Sequence, residues 1–134
     1  MTAAMAMALL GMLSGGAIAV EPKQAGSKLI KAYTNNHGVV VYLNRDSLYK
    51  GPQFTQVNTV VDNLVTGPGG ENSSTSLMRF RCGKKEFLAV DIQSYSELGG
   101  KGKLLGSARN PSTVFRPVER GSAQEMLLKA TCSL

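Results

Sequence analysis

The two cysteines of this 134-residue chain constrain its fold more than any other feature. Cys82 closes the run Ser76-Leu-Met-Arg-Phe-Arg-Cys82, in which apolar and polar side chains alternate as they do in a half-buried strand. Cys132 ends a run of helical character that begins at Ser122. A bond between the two sulfurs would tie a C-terminal helix to the middle of a β-sheet, and a pair of buried free thiols is the alternative.

The N-terminal sequence favours a disulfide over free thiols. It predicts export, and disulfides persist mainly outside the cytosol. Residues 1–19 carry no charged side chain, hold an apolar run over residues 5–13 and end in Ala17-Ile-Ala19, a small-x-small cleavage pattern. This apolar run is shorter than a membrane-spanning helix, which needs about 20 apolar residues. Signal peptides usually begin with a positively charged segment, but no Lys or Arg precedes this run. Either the α-amino group supplies the positive charge or the true start lies upstream. A hydrophobic helix of the folded domain is the alternative to a signal peptide. Val20, not a cysteine, follows the site, so we expect no lipid anchor.

The rest of the chain is predicted to form a short polar linker over residues 20–27 and a single domain over residues 28–134. Strand-like runs without intervening helices indicate an α+β fold, a six-stranded antiparallel sheet with one C-terminal helix tied to it by the disulfide. The predicted strands are residues 28–34, 39–43, 53–63, 75–82, 85–95 and 113–118.

Four segments of the chain carry further expectations. Polar residues on both faces of the third strand predict an exposed or edge position. One turn of helix is expected over residues 46–49. The segment 97–106, with four glycines and two lysines, is expected to be a mobile basic loop, and Pro117 limits the last strand to an edge or a strand end.

The C-terminal run has the signature of a capped helix. Ser122 and Glu125 have the spacing of a capping box, in which each side chain accepts the other residue's backbone N–H. Helical periodicity places four apolar residues on the face that would dock onto the sheet: Ala123, Met126, Leu127 and Ala130. Cys132 lies off the centre of that face, so the bond would need a frayed last turn or a helix embedded on two sides.

The chain lacks the residues from which most catalytic sites are built. His37 is the only histidine and falls in a predicted turn with nothing near it in sequence to activate it, and paired cysteines would leave no thiol nucleophile. A zinc site needs three or four ligands, and Gly99-Gly-Lys-Gly-Lys103 lacks the spacing of a phosphate loop. Pairing in space of isolated carboxylates, namely Asp62, Glu86, Asp91 and Glu119, is the remaining alternative. We therefore predict no enzyme activity, no cofactor and no metal site.

Positive charge is the more informative signal. A net charge of +6 favours acidic partners, although it also serves simply to keep a small domain soluble. The candidate anion- or partner-binding residues are Arg79, Arg81, Lys84, Lys85, Lys101 and Lys103. The alternative is a solvated sheet face with cross-strand pairs from Arg79 or Arg81 to Asp91. Trp is absent and aromatic residues are few, which argues against nucleic acid as the partner.

Several segments together have a familiar pattern: Val39-Val-Val-Tyr-Leu-Asn-Arg-Asp-Ser-Leu48, Leu77-Met-Arg-Phe-Arg-Cys82, Ser94-Tyr-Ser96, Val114-Phe-Arg-Pro-Val-Glu-Arg-Gly-Ser122 and a terminal helix ending at Cys132. With them the chain resembles the bacterial surface-adhesin protein E family. The resemblance implies an antiparallel sheet with a disulfide-tethered C-terminal helix. It also implies exposure at the bacterial envelope and binding to host matrix proteins such as vitronectin, laminin and plasminogen.

The chain departs from the family pattern in two places. Phe115 stands where members often carry Trp, and Val20 stands where anchored members carry a lipidated cysteine. The expected protein is thus periplasmic or secreted, or associated with the surface without a lipid anchor.

Two functions follow as expectations. One is an exported, non-enzymatic binding domain that recognises host matrix proteins or anionic glycans. The alternative is a periplasmic envelope or assembly component without a host ligand, whose polar third strand would accept a partner strand at its edge.

Overall fold

The computed structural model describes residues 28–134. The predicted signal peptide (1–19) and linker (20–27) lie outside the described residues and stay predictions. The strands are β1 (Leu29–Thr34), β2 (Val39–Lys50), β3 (Thr55–Asn63), β4 (Ser73–Arg81), β5 (Glu86–Ala89), β6 (Asp91–Glu97), β7 (Lys101–Arg109) and β8 (Arg116–Pro117), and the helix α1 is Ala123–Cys132.

The strands form one sheet with the order β1-β2-β3-β4-β5-β8. Strand β6 lies off this path: it pairs with β4 on one side and with β7 on the other. The pairings from β2 onward are antiparallel. The predicted antiparallel sheet with one C-terminal helix is thus confirmed, but this sheet has eight strands where six were predicted. One added strand arises where the predicted fifth strand breaks at Val90, whose N–H donates to the Leu77 carbonyl at 2.8 Å.

The other added strand, β7, occupies the segment predicted to be a mobile loop. A short 3₁₀ turn at Leu98–Gly100 reverses the chain, and Gly99, Gly100 and Gly102 all have positive φ. Glycine adopts that conformation without steric cost, so the reversal is completed early and the rest of the segment pairs with β6. Every residue of β7 is exposed, so the strand has no alternating hydrophobic pattern that sequence analysis could detect.

The expected helical turn at residues 46–49 is wrong, since β2 runs unbroken to Lys50. A register shift between Asn44 and Tyr49 marks an irregularity in the pairing with β3. There the Ser47 hydroxyl accepts the Asn58 N–H at 2.8 Å and donates to the Asn44 carbonyl at 2.7 Å. The predicted sixth strand over 113–118 shrinks to the two residues of β8, as expected for a segment in which Pro117 offers no N–H.

The expectation that the third strand lies at an edge is also wrong. β3 pairs with β2 on one side and with β4 on the other. Its buried hydroxyls are tolerated because buried polar groups can be satisfied by hydrogen bonds, and Thr59 Oγ1 donates to the Ser76 carbonyl at 3.1 Å. The edge of this strand therefore offers no place for a partner strand, and the alternative function, a periplasmic envelope or assembly component, stays a prediction without that argument.

The core lies between the helix and one face of the sheet. Val57 faces Met78 across the β3–β4 pair, and Phe80, opposite Thr55, is fully buried. The buried apolar residues of this layer are Val41, Leu43, Val57, Met78, Phe80, Leu127 and Leu128.

The docked face of α1 differs from the predicted one. Leu127, Leu128 and Thr131 are buried, whereas Met126 is 42% exposed. The helix is rotated so that Leu128 and Cys132, four residues apart and so on one face, both point toward the sheet. The rotation removes the need for a frayed last turn, and Cys82 and Cys132 form the predicted disulfide with their Cα atoms 6.0 Å apart.

The helix start keeps half of the predicted capping box. Ser122 Oγ accepts the Glu125 N–H at 3.2 Å, as predicted. Glu125 Oε1 instead accepts the N–H of Gly121 at 2.9 Å, because the Ser122 N–H donates to the Glu119 carbonyl. The hydrogen bond from Gly121, assisted by Lys129, Lys85 and Arg120, holds the pKa of the Glu125 carboxyl below its ordinary value of 4.5.

We expect Glu125→Gln to lower the melting temperature at neutral pH. A carboxyl with a lowered pKa in the folded state stabilises the fold above its ordinary pKa, and the contribution is lost as the pH falls through the folded value. The difference from the parent protein should therefore shrink in the acidic range below pH 4.5. Thermal unfolding across that range measures it, with Glu119→Gln as the control. A difference that does not change with pH would assign the effect to helix propensity instead.

Candidate functional site

The face of the sheet turned away from the helix carries an ordered set of arginine and aromatic side chains. Because side chains alternate along a strand, burial of Met78 and Phe80 under the helix sends Arg79 and Arg81 to the opposite face. Two chain segments outside the regular strands bring aromatic rings to the same place. These are the turn around Phe54 and the segment that precedes β8, which holds Phe115.

Each arginine lies over an aromatic ring. Arg79 Cζ is 4.7 Å from the centre of the Phe54 ring, and Arg81 Cζ is 3.9 Å from the centre of the Phe115 ring. The two rings are 6.3 Å apart, and Tyr49 meets Phe54 edge-on at 6.4 Å. A cation over a ring contributes about 0.5–1 kcal/mol at exposed sites, so these contacts hold both guanidinium groups in place. We call these five residues the arginine–aromatic face.

Polar contacts position the two arginines further and use few of their N–H donors. Arg79 Nε donates to Gln56 Oε1 at 2.9 Å, and Arg81 Nη1 lies 3.4 Å from Glu86 Oε1. Guanidinium carries five N–H donors, so most of them remain available for a ligand. Neither arginine pairs with Asp91, whose Oδ1 accepts the Leu77 N–H at 2.9 Å. Arg81 pairs across the strands with Glu86 instead.

The turn before β3 gives this face its shape. The Gly51 N–H donates to the Phe54 carbonyl at 2.9 Å and closes the turn. A Cβ on Gly51 would stand 2.7 Å from Tyr49 Cε2, so only glycine lets the Tyr49 ring lie against the turn. A side chain at this position would push the ring away from Phe54.

A groove of about 590 Å³ borders the arginine–aromatic face. The turn 51–55 forms one side of it and residues 80–84 form the other. Arg81 and Lys84 supply positive charge, and Phe54 supplies an apolar surface. This combination suits a carboxylate or another oxyanion attached to an apolar group, since arginine binds such groups through two parallel N–H donors.

The structure divides the six basic candidates into separate places. Arg79, Arg81 and Lys84 meet at the arginine–aromatic face or its groove. Lys85 has a left-handed backbone and contributes charge toward Glu125 at the start of the helix.

Two of the six lie far from the other four. Lys101 pairs with Glu97 beyond the opposite end of β4. The nine residues of β4 between the two ends span roughly 25 Å. Lys101 and Lys103 are therefore too distant to join one binding patch with Arg79 and Arg81.

The aromatic residues of this site were not predicted from the sequence. Phe54 fell within the predicted third strand (53–63), but only the register, which sets Gln56 opposite Arg79, shows which arginine it meets. Phe115 stood in a recognised motif, and nothing in the sequence paired it with Arg81. Arg109 lay between the predicted loop (97–106) and the predicted last strand (113–118), in a stretch to which no role was assigned.

The residues considered for chemistry lie apart. His37 is exposed in a turn, where its backbone N–H donates to Asn35 Oδ1 at 2.8 Å. Within residues 28–134 no three of the His, Cys, Asp and Glu side chains are placed to hold a metal ion. Over the same residues, no helix has both the length and the apolar character needed to cross a membrane.

The family models and the solved structures that this chain matches point to the same family. Residues 28–133 match the sequence model of a family described as "Surface-adhesin protein E". No curated protein matches the chain significantly. Among solved structures, Haemophilus influenzae protein E superimposes with a TM-score of 0.58 at 17% identity, covering 84% of this chain and 89% of the other. A structure of protein E from non-typeable Haemophilus influenzae gives a TM-score of 0.55 at 17% identity, covering 84% and 80%. At these identities the structural likeness concerns the fold.

Proposed function

This chain belongs to the surface-adhesin protein E family, and we propose that it is an exported, non-enzymatic protein whose arginine–aromatic face binds an acidic segment of a partner protein. Family membership supports an adhesin-like binding function. The finer assignment, to a host matrix protein, is our proposal. It is supported by one observation above all, the two guanidinium groups fixed on Phe54 and Phe115 with most of their donors free.

Ordering a flexible side chain on binding costs free energy. A free arginine loses roughly 2 kcal/mol of rotamer entropy when it is fixed on binding. The Arg79 and Arg81 side chains are already ordered in the free protein, because each lies over an aromatic ring and contacts Gln56 or Glu86. Preorganised groups bind more tightly because the ordering cost is met in the free protein. Interfaces are also enriched in arginine and aromatic residues, which is the composition of this face.

We expect Arg79→Gln together with Arg81→Gln to weaken binding to immobilised vitronectin or laminin by at least about tenfold, since hydrogen bonds to charged groups contribute about 1.5–3 kcal/mol each. Lys101→Gln together with Lys103→Gln removes the same charge at the distant end of the sheet and is the matched control. Surface plasmon resonance at several salt concentrations measures both.

Equal losses in the two double variants would show that binding follows net charge and would contradict the proposal. Absence of binding by the parent protein at low salt would contradict it more directly. Circular dichroism of each variant checks that the fold is intact, because Arg81 also contacts Glu86 and Phe115.

Location is the second part of the proposal. A surface-adhesin family is consistent with an exported or surface protein, and we propose that the mature chain reaches the cell exterior. Cell fractionation combined with protease treatment of intact cells separates the possibilities. Digestion on intact cells, or recovery from the medium, is expected, whereas full protection until the outer membrane is opened would place the protein in the periplasm.

A further inference from the structure

A second groove, of about 390 Å³, lies on the same side of the sheet as the arginine–aromatic face. Leu88, which pairs with Arg79 and is buried, forms its floor together with Val90. Arg79 lines one side, and Arg109 with residues 110–113 lines the other. The volume lies at the lower end of the range for pockets that hold small ligands, which is about 300–1,000 Å³.

The wall formed by residues 110–113 is held by specific hydrogen bonds and not by strand pairing. The Asn110 N–H donates to the Val90 carbonyl at 2.9 Å, and its side-chain Nδ2 donates to the Ala89 carbonyl at 2.8 Å. The Ser112 N–H donates to Asn110 Oδ1 at 3.0 Å, and Ser112 Oγ accepts the Val114 N–H at 3.1 Å. The Ser112 hydroxyl thus keeps its proton free to donate.

Neither arginine of the groove takes part in an ion pair among residues 28–134. The side chain of Arg109 has no hydrogen bond or ion pair to any residue in the range 28–134, and Arg79 uses only Nε, toward Gln56. Asp91 stands opposite Arg109 in the register, and its carboxylate, with Oδ1 accepting the Leu77 N–H, offsets part of the positive charge without forming an ion pair. Two guanidinium groups and the hydroxyls of Ser112 and Thr113 therefore line a groove with an apolar floor.

We propose that this groove binds a sulfated saccharide, with Arg79 and Arg109 holding a sulfate and with Ser112 and Thr113 bonding to sugar hydroxyls. Guanidinium matches the paired oxygens of such an anion. The apolar floor suits the C–H face of a sugar ring. An acidic peptide would also use the two arginines, but it lacks the dense set of hydroxyls that a sugar ring offers to Ser112 and Thr113. The inference rests on the proposed binding role of this side of the sheet and adds a second class of ligand, with Arg79 as the shared residue.

The test compares two single substitutions in the full mature chain. Arg109→Gln removes a groove guanidinium, and Arg116→Gln removes another exposed guanidinium, on β8 opposite Phe87, that lines a neighbouring groove and not this one. The probe is a short heparin-derived oligosaccharide, measured by isothermal titration calorimetry at two salt concentrations. We expect Arg109→Gln to weaken binding by at least about tenfold and Arg116→Gln to change it less than about twofold, as a small change in net charge would.

A third variant and two further probes sharpen the result. Thr113→Val should weaken the oligosaccharide several-fold without changing charge. A desulfated oligosaccharide that keeps its carboxylates should bind weakly, which assigns the anion as sulfate. A glutamate-rich peptide of equal charge tests the alternative occupant.

Equal effects of Arg109→Gln and Arg116→Gln, or no binding by the parent protein, would overturn the proposal. So would tight binding of the glutamate-rich peptide that depends on Arg109 but not on Thr113, because the groove would then accept a peptide. Loss of matrix-protein binding on Arg81→Gln with unchanged oligosaccharide affinity separates this groove from the site of the proposed function. A failure of either proposal can thus be told from a failure of the other.

Discussion

Replacing both cysteines with serine is expected to lower the free energy of unfolding by about 2–5 kcal/mol, the usual cost of losing a native disulfide from a small secreted domain. Cys82 and Cys132 are 50 positions apart. For a loop of that length the chain-entropy account gives about 4 kcal/mol. The helix has ten residues, and helices shorter than about 12–15 residues are marginal in water. The bond therefore stabilises an element that would not form alone.

Urea unfolding followed by circular dichroism measures the effect, with the oxidised parent protein, the reduced parent protein and Cys82→Ser/Cys132→Ser compared. The reduced parent and the double variant should unfold at similar, lower urea concentrations. If the double variant unfolded at the same concentration as the oxidised parent, packing of Leu127 and Leu128 would suffice to hold the helix. Mass spectrometry of the exported protein should find no free thiol.

The bond also has a consequence for the candidate site. Cys82 lines the groove beside Arg81, and the chain turns at Gly83 immediately after it. Loss of the bond frees that turn together with the helix. We therefore expect the reduced protein to bind its partner less well than the oxidised protein under conditions in which both are folded.

The parts of the fold that sequence analysis predicted are those with strong local signals. The alternation around Phe80 defined a half-buried strand, the Ser122 cap defined the helix start, and the pair Cys82 and Cys132 defined the link between them. Each of these signals depends on residues close in sequence or, for the disulfide, on a chemistry with only one possible pairing. The family resemblance had the same elements in the same order, and the match over residues 28–133 confirms it.

The parts that could not be predicted depend on pairing over long distances. β7 is exposed along its whole length, so no periodicity marks it. β3 looked like an edge because it has many polar residues, yet Thr59 is buried beside β4 with its hydroxyl bonded to Ser76. The contacts of Arg79 with Phe54 and of Arg81 with Phe115 join residues from different strands and turns. Only the register of the sheet brings them together.

Two phenylalanines on opposite faces of the sheet allow stability and binding to be separated. Phe80 is fully buried under the helix, whereas Phe54 is half-buried on the arginine–aromatic face. Phe80→Ala is expected to destabilise the protein by about 3–5 kcal/mol, because a large buried ring leaves a cavity. Phe54→Ala should cost less, about 1 kcal/mol, since it removes a partly exposed ring and its contact with Arg79.

For binding, Phe54→Ala is expected to have the larger effect and Phe80→Ala the smaller. Without Phe54 the Arg79 guanidinium loses its support, so Phe54→Ala should weaken binding to the matrix protein under conditions in which the variant is folded. Phe80→Ala, stabilised by low temperature, should bind nearly as well as the parent, because Phe80 only borders the groove beside Arg81. Urea unfolding and surface plasmon resonance on the same preparations measure both quantities. If Phe54→Ala lost stability but kept its affinity, the aromatic rings would serve only to pack the sheet, and the arginines would have to be positioned by Gln56 and Glu86 alone.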